Sequence, residues 1–314
     1  MTTWKVALVA GLLSGTAAAQ ASDALPTPGQ HAAGKRQGAQ DSSNFVLPHQ
    51  TLTWDLPVIE VSDVPMLREE EKIGPYKQPR WTARRLFTST RIYVRPAGQA
   101  NFEWWYTPKF DSEDFSASVF NAQYEMEFGL GHGLQLDLYA VTEQNGMEGP
   151  LVLSEEKIEL RYALADWGEI WGNPTLYVEY VNVNQGSPKL EGKLLLGGTL
   201  AERWHGGANL VFERELRGQA RENEWALTGG ISYVVLDAIF SAGLESKIEM
   251  VDVAESRFDF GKYEVLLGPS MRWFPVPAAH IDVVWFVGGE WERENGGFAS
   301  KLLLEPTLIA GYEF

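Results

Sequence analysis

The sequence contains no cysteine. That excludes a disulfide framework, a thiol nucleophile, a cysteine-ligated metal and the lipidated cysteine of a lipoprotein. Long apolar runs are missing too. The stretch at residues 6–13 falls short of the roughly 18 to 20 residues a spanning helix needs, and no later stretch reaches that length without charges. The same stretch, followed by Ala17, Ala18 and Ala19, has the form of a cleaved signal peptide over residues 1–19. Histidine is scarce. His31, His49, His132, His205 and His280 lack the spacing of metal ligands, so neither a metal site nor a cofactor is expected.

Catalytic signatures are absent as well. No Gly-x-Ser-x-Gly elbow, zinc-protease helix motif or phosphate-binding loop with its lysine occurs. The glycines at 129, 131 and 133 imitate a dinucleotide fingerprint, but they lie between two expected strands and read as a turn. An outer-membrane lipid-modifying enzyme would need a serine beside a histidine on the lipid face, and His280 is the one candidate.

Charge is abundant and unevenly placed. The net charge is -16; residues 101–314 carry fifteen Lys/Arg against thirty-four Asp/Glu, while residues 1–100 carry eleven against eight. Such acidity argues against nucleic acid as a partner and for an interior or surface that attracts cations. Residues 20–95 are Pro-rich and show little periodicity, so an irregular periplasmic or plug segment is expected there. At its end Arg80, Arg84, Arg85, Arg91 and Arg95 stand with no acidic residue between Glu71 and Glu103. This basic block reads either as a solvated face or as a plug that docks in an acidic lumen.

From about residue 96 the pattern changes. Apolar and polar residues alternate over stretches of about ten residues separated by Gly, Asn, Pro and charged turns, which is the signature of strands. Phe120, Tyr124, Met126 and Phe128 share one parity and Asn121, Gln123, Glu125 and Glu127 the other. Strands are expected near 101–110, 117–130, 133–142, 154–165, 174–183, 188–197, 205–217, 223–236, 238–250, 260–274, 280–291 and 301–314. About twelve strands with alternating short and longer links predict an all-β fold, an up-and-down antiparallel transmembrane barrel over residues 96–314.

Two features place that barrel in lipid. Trp225 and Tyr233, like Phe120 and Phe128, lie eight residues apart on the outer parity. At about 3.4 Å per residue and a tilt near 40° they would be separated by about 21 Å in height, close to the spacing of two aromatic girdles. The chain also ends on Phe314, with Leu304, Leu308, Ala310 and Tyr312 on the same face. This resembles the signal read by the barrel assembly machinery, and predicts the bacterial outer membrane as location and its lipid as partner.

The inward parity carries Glu125, Glu127, Asp137, Glu159, Arg161, Glu179, Glu213, Glu245, Glu264 and Glu305. These are the candidate contacts for a solute or ion. Charges facing hydrocarbon would cost several kcal/mol each, so the set must face water or one another. It reads either as paired charges that make the barrel rigid or as a cation-favouring pathway.

The phrases RPAGQ (95–99), FEWWY (102–106), GLGHGLQLDLY (129–139), IELRYALADW (158–167) and NPTLYVEY (173–180) together resemble outer-membrane barrel proteins grouped as transporters of the phenol-degradation MetA-pathway type. The resemblance covers about residues 85–314 and implies a monomeric outer-membrane barrel, a channel for small organic compounds. It transfers no functional residue. The leading expectation is a passive channel or facilitator; a non-conducting scaffold barrel is the second and an outer-membrane enzyme the third.

Overall fold

The computed structural model describes residues 66–84, 87–111, 115–218, 221–252, 259–294 and 297–314, all within one compact unit. The expected signal peptide lies outside the described residues, as does Arg85. Two short strands, β1 (Lys72–Ile73) and β2 (Gln78–Pro79), and the one-turn helix α1 (Arg80–Ala83) precede the barrel. The barrel strands are β3 (Ala100–Asp111), β4 (Val119–Gly131), β5 (Leu134–Asn145), β6 (Leu151–Ala163), β7 (Thr175–Val183) and β8 (Lys189–Ala201). They continue as β9 (Trp204–Glu215), β10 (Asn223–Leu236), β11 (Phe240–Asp252), β12 (Phe260–Val276), β13 (Ala279–Glu294) and β14 (Gly297–Glu313).

Each strand pairs antiparallel with its sequence neighbours, and β14 pairs with β3 to close the cylinder. The turns that connect them set the register. His132 and Gly133 both have positive φ, 53° and 74°, as a two-residue hairpin turn of the twisted type requires, so the glycine-rich phrase is a turn. Most short links, together with Ala100 and Phe314, lie at one end; the opposite end carries mostly longer links.

At the closing seam the backbone pairing runs from Leu303–Asp111 to Leu304–Phe110 and resumes at Leu308–Tyr106. That leaves Pro306 opposite Pro108. Side chains bridge the gap: Lys109 pairs with Glu305 at 3.2 Å, and the hydroxyls of Thr107 and Thr307 lie 3.1 Å apart.

The outer face is apolar. Ile158, Leu160, Leu176, Val178, Leu210, Leu227, Leu244 and Leu267 are all exposed on it. Removing such surface from water is favourable by about 25 cal/mol per Å², so this belt is fit for hydrocarbon. Aromatic pairs mark its two edges. Trp204 meets Tyr233 at a tilt (ring centroids 4.9 Å apart) toward the short-turn end, and Phe212 meets Trp225 likewise (4.5 Å) toward the other.

The inward parity is not uniformly polar. Leu266, Val284, Phe286 and Leu303 form a buried apolar cluster on the lumen side of β12 to β14. In this part of the chain both parities are apolar, so alternation did not mark the inner face.

Candidate functional site: a plugged lumen with a carboxylate ramp

Residues 66–84 and 87–99 occupy the short-turn end of the lumen. The backbone amides of Arg68 and Glu69 donate to Asp237 in the β10–β11 turn at 2.8 and 3.2 Å. Deeper in, Trp81, Phe87 and Ile92 make an apolar core with Trp167 of the β6–β7 link. Trp81 is 1% exposed, and its ring meets Trp167 edge-on at 5.4 Å.

The wall receives this core through missing side chains. Gly197, Gly207 and Gly230 align across β8, β9 and β10. A Cβ at Gly197 would lie 2.3 Å from Ile92 Cδ1, and one at Gly230 would lie 2.6 Å from Phe87 Cδ1. Next in that row, on β11, stands Glu245. Its carboxylate accepts the backbone N–H of Thr88 (2.7 Å), the backbone N–H of Ser89 (2.6 Å) and the Ser89 hydroxyl (2.7 Å). Three empty positions followed by one acceptor thus hold residues 87–92 against the wall.

The basic block divides by role. Arg80 pairs with Glu71 of its own segment at 2.6 Å, and no barrel residue is among its polar partners in the described residues. Arg84 pairs with Glu69 (3.1 Å), donates to the carbonyls of Ala238 and Pro277, and lies over the Phe274 ring at 4.1 Å. Arg91 reaches Glu125 at 2.6 Å and Glu103 at 3.8 Å, and also pairs with Glu127. Arg95 pairs with Glu127 at 2.7 Å and Glu313 at 3.6 Å, while its backbone N–H donates to Gln135.

Pairing registers bring the inward carboxylates into a single row. Glu127 lies opposite Asp137, Asp137 opposite Glu159, Glu159 opposite Glu179, and Glu179 opposite Glu191. The row then continues through Glu213 to Glu224. Barrel strands tilt, so a row perpendicular to them climbs the wall. It starts near the plug at Glu127 and ends beside the long-link mouth at Glu224, the second residue of β10. Like charges directly opposite one another are destabilising. Cations on the flanking rows offset them: Arg161 on Asp137 (3.4 Å) and Glu159, Lys157 on Glu179 (3.9 Å), Lys193 on Glu191 (2.7 Å) and Lys189 on Glu213 (2.7 Å).

Two cavities lie between the plug and the long-link end, and the inner one borders the ramp. The inner one, about 230 Å³, is lined by Ser89, Arg91, Glu125, Tyr139, Glu159, Arg161, Tyr177, Glu179 and Glu213, among others. The outer, about 280 Å³, is lined by Thr107, Asn121, Glu143, Ser154 and Glu155 near the long-link end. They share Trp105, Gln123 and Lys157 as lining. A solute entering from the long links therefore meets Arg91 at the bottom.

All ten inward candidates point into the barrel, in three different settings. Glu125, Glu159, Arg161, Glu179 and Glu213 border the inner cavity. Glu127, Asp137 and Glu245 are covered by the plug and its partners. Glu264 and Glu305 belong to the opposite wall, with Lys247 (3.5 Å) and Lys109 as counter-charges. Glu191 and Glu224, which complete the ramp, need the strand register as well as parity to be recognised.

His280 lies inside the barrel, not on the lipid face. Its Nδ1 is 2.8 Å from Asp282 and its Nε2 3.6 Å from Glu103, so both ring nitrogens face carboxylates and not a serine. The hydrolase constellation is therefore not assembled around it. His205 is likewise buried at the plug, 2.7 Å from Glu70 and against the Trp81 ring.

No protein-family model and no curated protein sequence matches the chain. Among solved structures it is similar to the NanC porin, with 12% identity and a TM-score of 0.47 over 67% of this chain and 98% of that one. It is also similar to an outer membrane channel from Pseudomonas putida F1, with 11% identity and a TM-score of 0.45 over 73% and 100% of the two chains. A third is the outer membrane protein Omp33 of Acinetobacter baumannii, with 12% identity and a TM-score of 0.35 over 69% and 99%. At these scores the likenesses carry no argument about what the barrel binds or conducts.

Proposed function

We propose that the protein is a passive facilitator of the bacterial outer membrane, closed at rest by its own N-terminal segment. Small solutes enter at the long-link mouth and descend along the carboxylate ramp to Arg91. The observation that carries this reading is the pair of cavities with shared lining, the inner one set between the carboxylate ramp and Arg91 of the plug. A rim of mostly short turns supports a periplasmic position for that end, and the apolar and aromatic pattern of β14 is the feature the barrel assembly machinery would read. Placement in the phenol-degradation MetA-pathway group belongs to the same proposal and rests on the strand and turn phrases alone.

Single-channel recording in a planar bilayer tests the reading. The full mature chain should show small, cation-selective events, and removal of residues 20–95 should raise the conductance. Unchanged conductance of a folded, trimmed barrel would refute the plug. The second reading, a non-conducting scaffold, is favoured by the apolar seating of Trp81, Phe87 and Ile92. Swelling of liposomes that carry the barrel separates the two, because a scaffold admits no solute.

A further inference from the structure

We infer that Glu103, Glu125 and Glu127 form a binding site for a guanidinium or primary ammonium group at the floor of the inner cavity, filled within the chain by Arg91. This rests on the facilitator reading only for the source of the ligand; the site itself stands on geometry.

Glu103 and Glu125 are directly opposed on β3 and β4, and Glu127 is two residues along the same face. All three are buried. Three such carboxylates repel one another and lose hydration, so the arrangement needs a cation among them. The barrel wall brings Asn101 onto Glu103 and Glu127, Trp105 onto Glu103 and His280 Nε2 to 3.6 Å from Glu103, while the guanidinium groups that pair with Glu125 and Glu127 come from Arg91 and Arg95. Arg91 places one guanidinium nitrogen 2.6 Å from Glu125 and the other on Glu127 and toward Glu103. A planar, multiply bonded guanidinium is the group this fork of oxygens fits.

Two further observations point to an exchangeable ligand. Glu125 borders the cavity, and its Oε2 is buried without a hydrogen-bond partner. Arg91 is itself 15% exposed, and it lines the same cavity, where a competing cation would arrive. Trp105 and Tyr139 line that cavity too and offer aromatic surface to the body of an organic cation. Anchors on either side of Arg91, Glu245 on Thr88 and Ser89 and Gln135 on the Arg95 backbone N–H, hold the loop independently of the Arg91 side chain. A metal ion is the competing occupant, since oxygens of Glu125, Glu127 and Asp137 come within 4.8 Å of one another. Asp137, however, already accepts both Gln135 (2.9 Å) and Arg161.

The test is calorimetric titration of ethylguanidinium, and separately of calcium, into the full mature chain in detergent, comparing wild type with Arg91→Ala. Ethylguanidinium should bind Arg91→Ala at least tenfold more tightly than wild type, and adding Glu125→Gln should remove that gain. If Arg91→Ala does not fold, Arg91→Met keeps the packing and opens the same charge vacancy. Equal binding to a folded variant and wild type, indifference to Glu125→Gln, or preference for calcium would each overturn the site. Binding does not require conduction. A barrel that binds ethylguanidinium but passes nothing keeps this site and refutes the facilitator, whereas one that conducts without binding does the reverse.

Discussion

Pro108 of β3 and Pro306 of β14 stand opposite each other across the seam that closes the barrel, where backbone pairing lapses between Leu304 and Leu308. Proline donates no backbone hydrogen bond, so two prolines at facing positions leave a short window in the ladder. Lys109–Glu305 and Thr107–Thr307 span it with side chains. Replacing both prolines by valine, on the lipid-facing parity, should restore ladder bonds worth about 0.5 to 1.5 kcal/mol each. Amide exchange near residues 107–109 and 305–307 should slow and the unfolding midpoint in urea should rise; unchanged exchange would show that the lapse has another cause.

The glycine row on the wall makes a second prediction. A side chain at Gly230 would collide with Phe87, and overpacking of this kind costs about 1 to 3 kcal/mol. Gly230→Val should therefore unseat the plug while leaving the barrel closed. Limited proteolysis would cut the variant between residues 70 and 95, with barrel mobility in gels unchanged. Adding Phe87→Ala should return protection, because it vacates the space the valine needs.

Glu245 holds Thr88 and Ser89 through their backbone amides. Hydrogen bonds to a charged acceptor contribute about 1.5 to 3 kcal/mol, so Glu245→Ala should raise the exchange rates of those two amides by at least tenfold. Glu245→Gln retains an acceptor and should fall between. Equal protection in all three proteins would mean that the apolar core alone seats the plug.

At the rim, burial pushes the Glu69 carboxyl above its ordinary range, outweighing the pull of Arg84 and Arg272. A carboxyl raised by folding favours the docked state below its unfolded pKa and loses that contribution as pH rises through the folded value. Docking of the rim in wild type, compared with Glu69→Gln, should weaken as pH increases from about 4 toward neutrality. The readout is the pH dependence of the difference in amide exchange at Arg68 and Glu69; a difference that grows the other way would mean that the Arg84 pair dominates.

Much of this architecture was legible in the sequence, and what was not follows from what periodicity carries. Alternation located all twelve barrel strands, because a strand that is wet inside and greasy outside must alternate. It placed Glu125, Glu159 and Glu179 on the inner face, but it contains no register, so it could not show that carboxylates on seven successive strands would line up. Where both faces are apolar, as in residues 283–287, parity does not mark the lumen side, and the Leu266–Phe286 cluster was missed. The plug's seat had a visible trace: β8, β9 and β10 each carry a Gly-Gly pair, at 197–198, 206–207 and 229–230. Read one strand at a time, such a pair is only a weak spot; read across three, it is a space reserved for another part of the chain. Arg80 and Arg91 look alike in the basic block, and only their partners in the structure separate the one that pairs within its own segment from the one that enters the lumen.

The glycine row also constrains the order of assembly. Phe87 and Ile92 find their socket only where β8, β9 and β10 already lie side by side, and Glu245 completes it only once β11 has joined them. The segment just before the barrel therefore acquires its seat only after those strands have paired. It seats only once strands synthesised more than a hundred residues later have paired, and then acts as a keystone in an arch built around its absence.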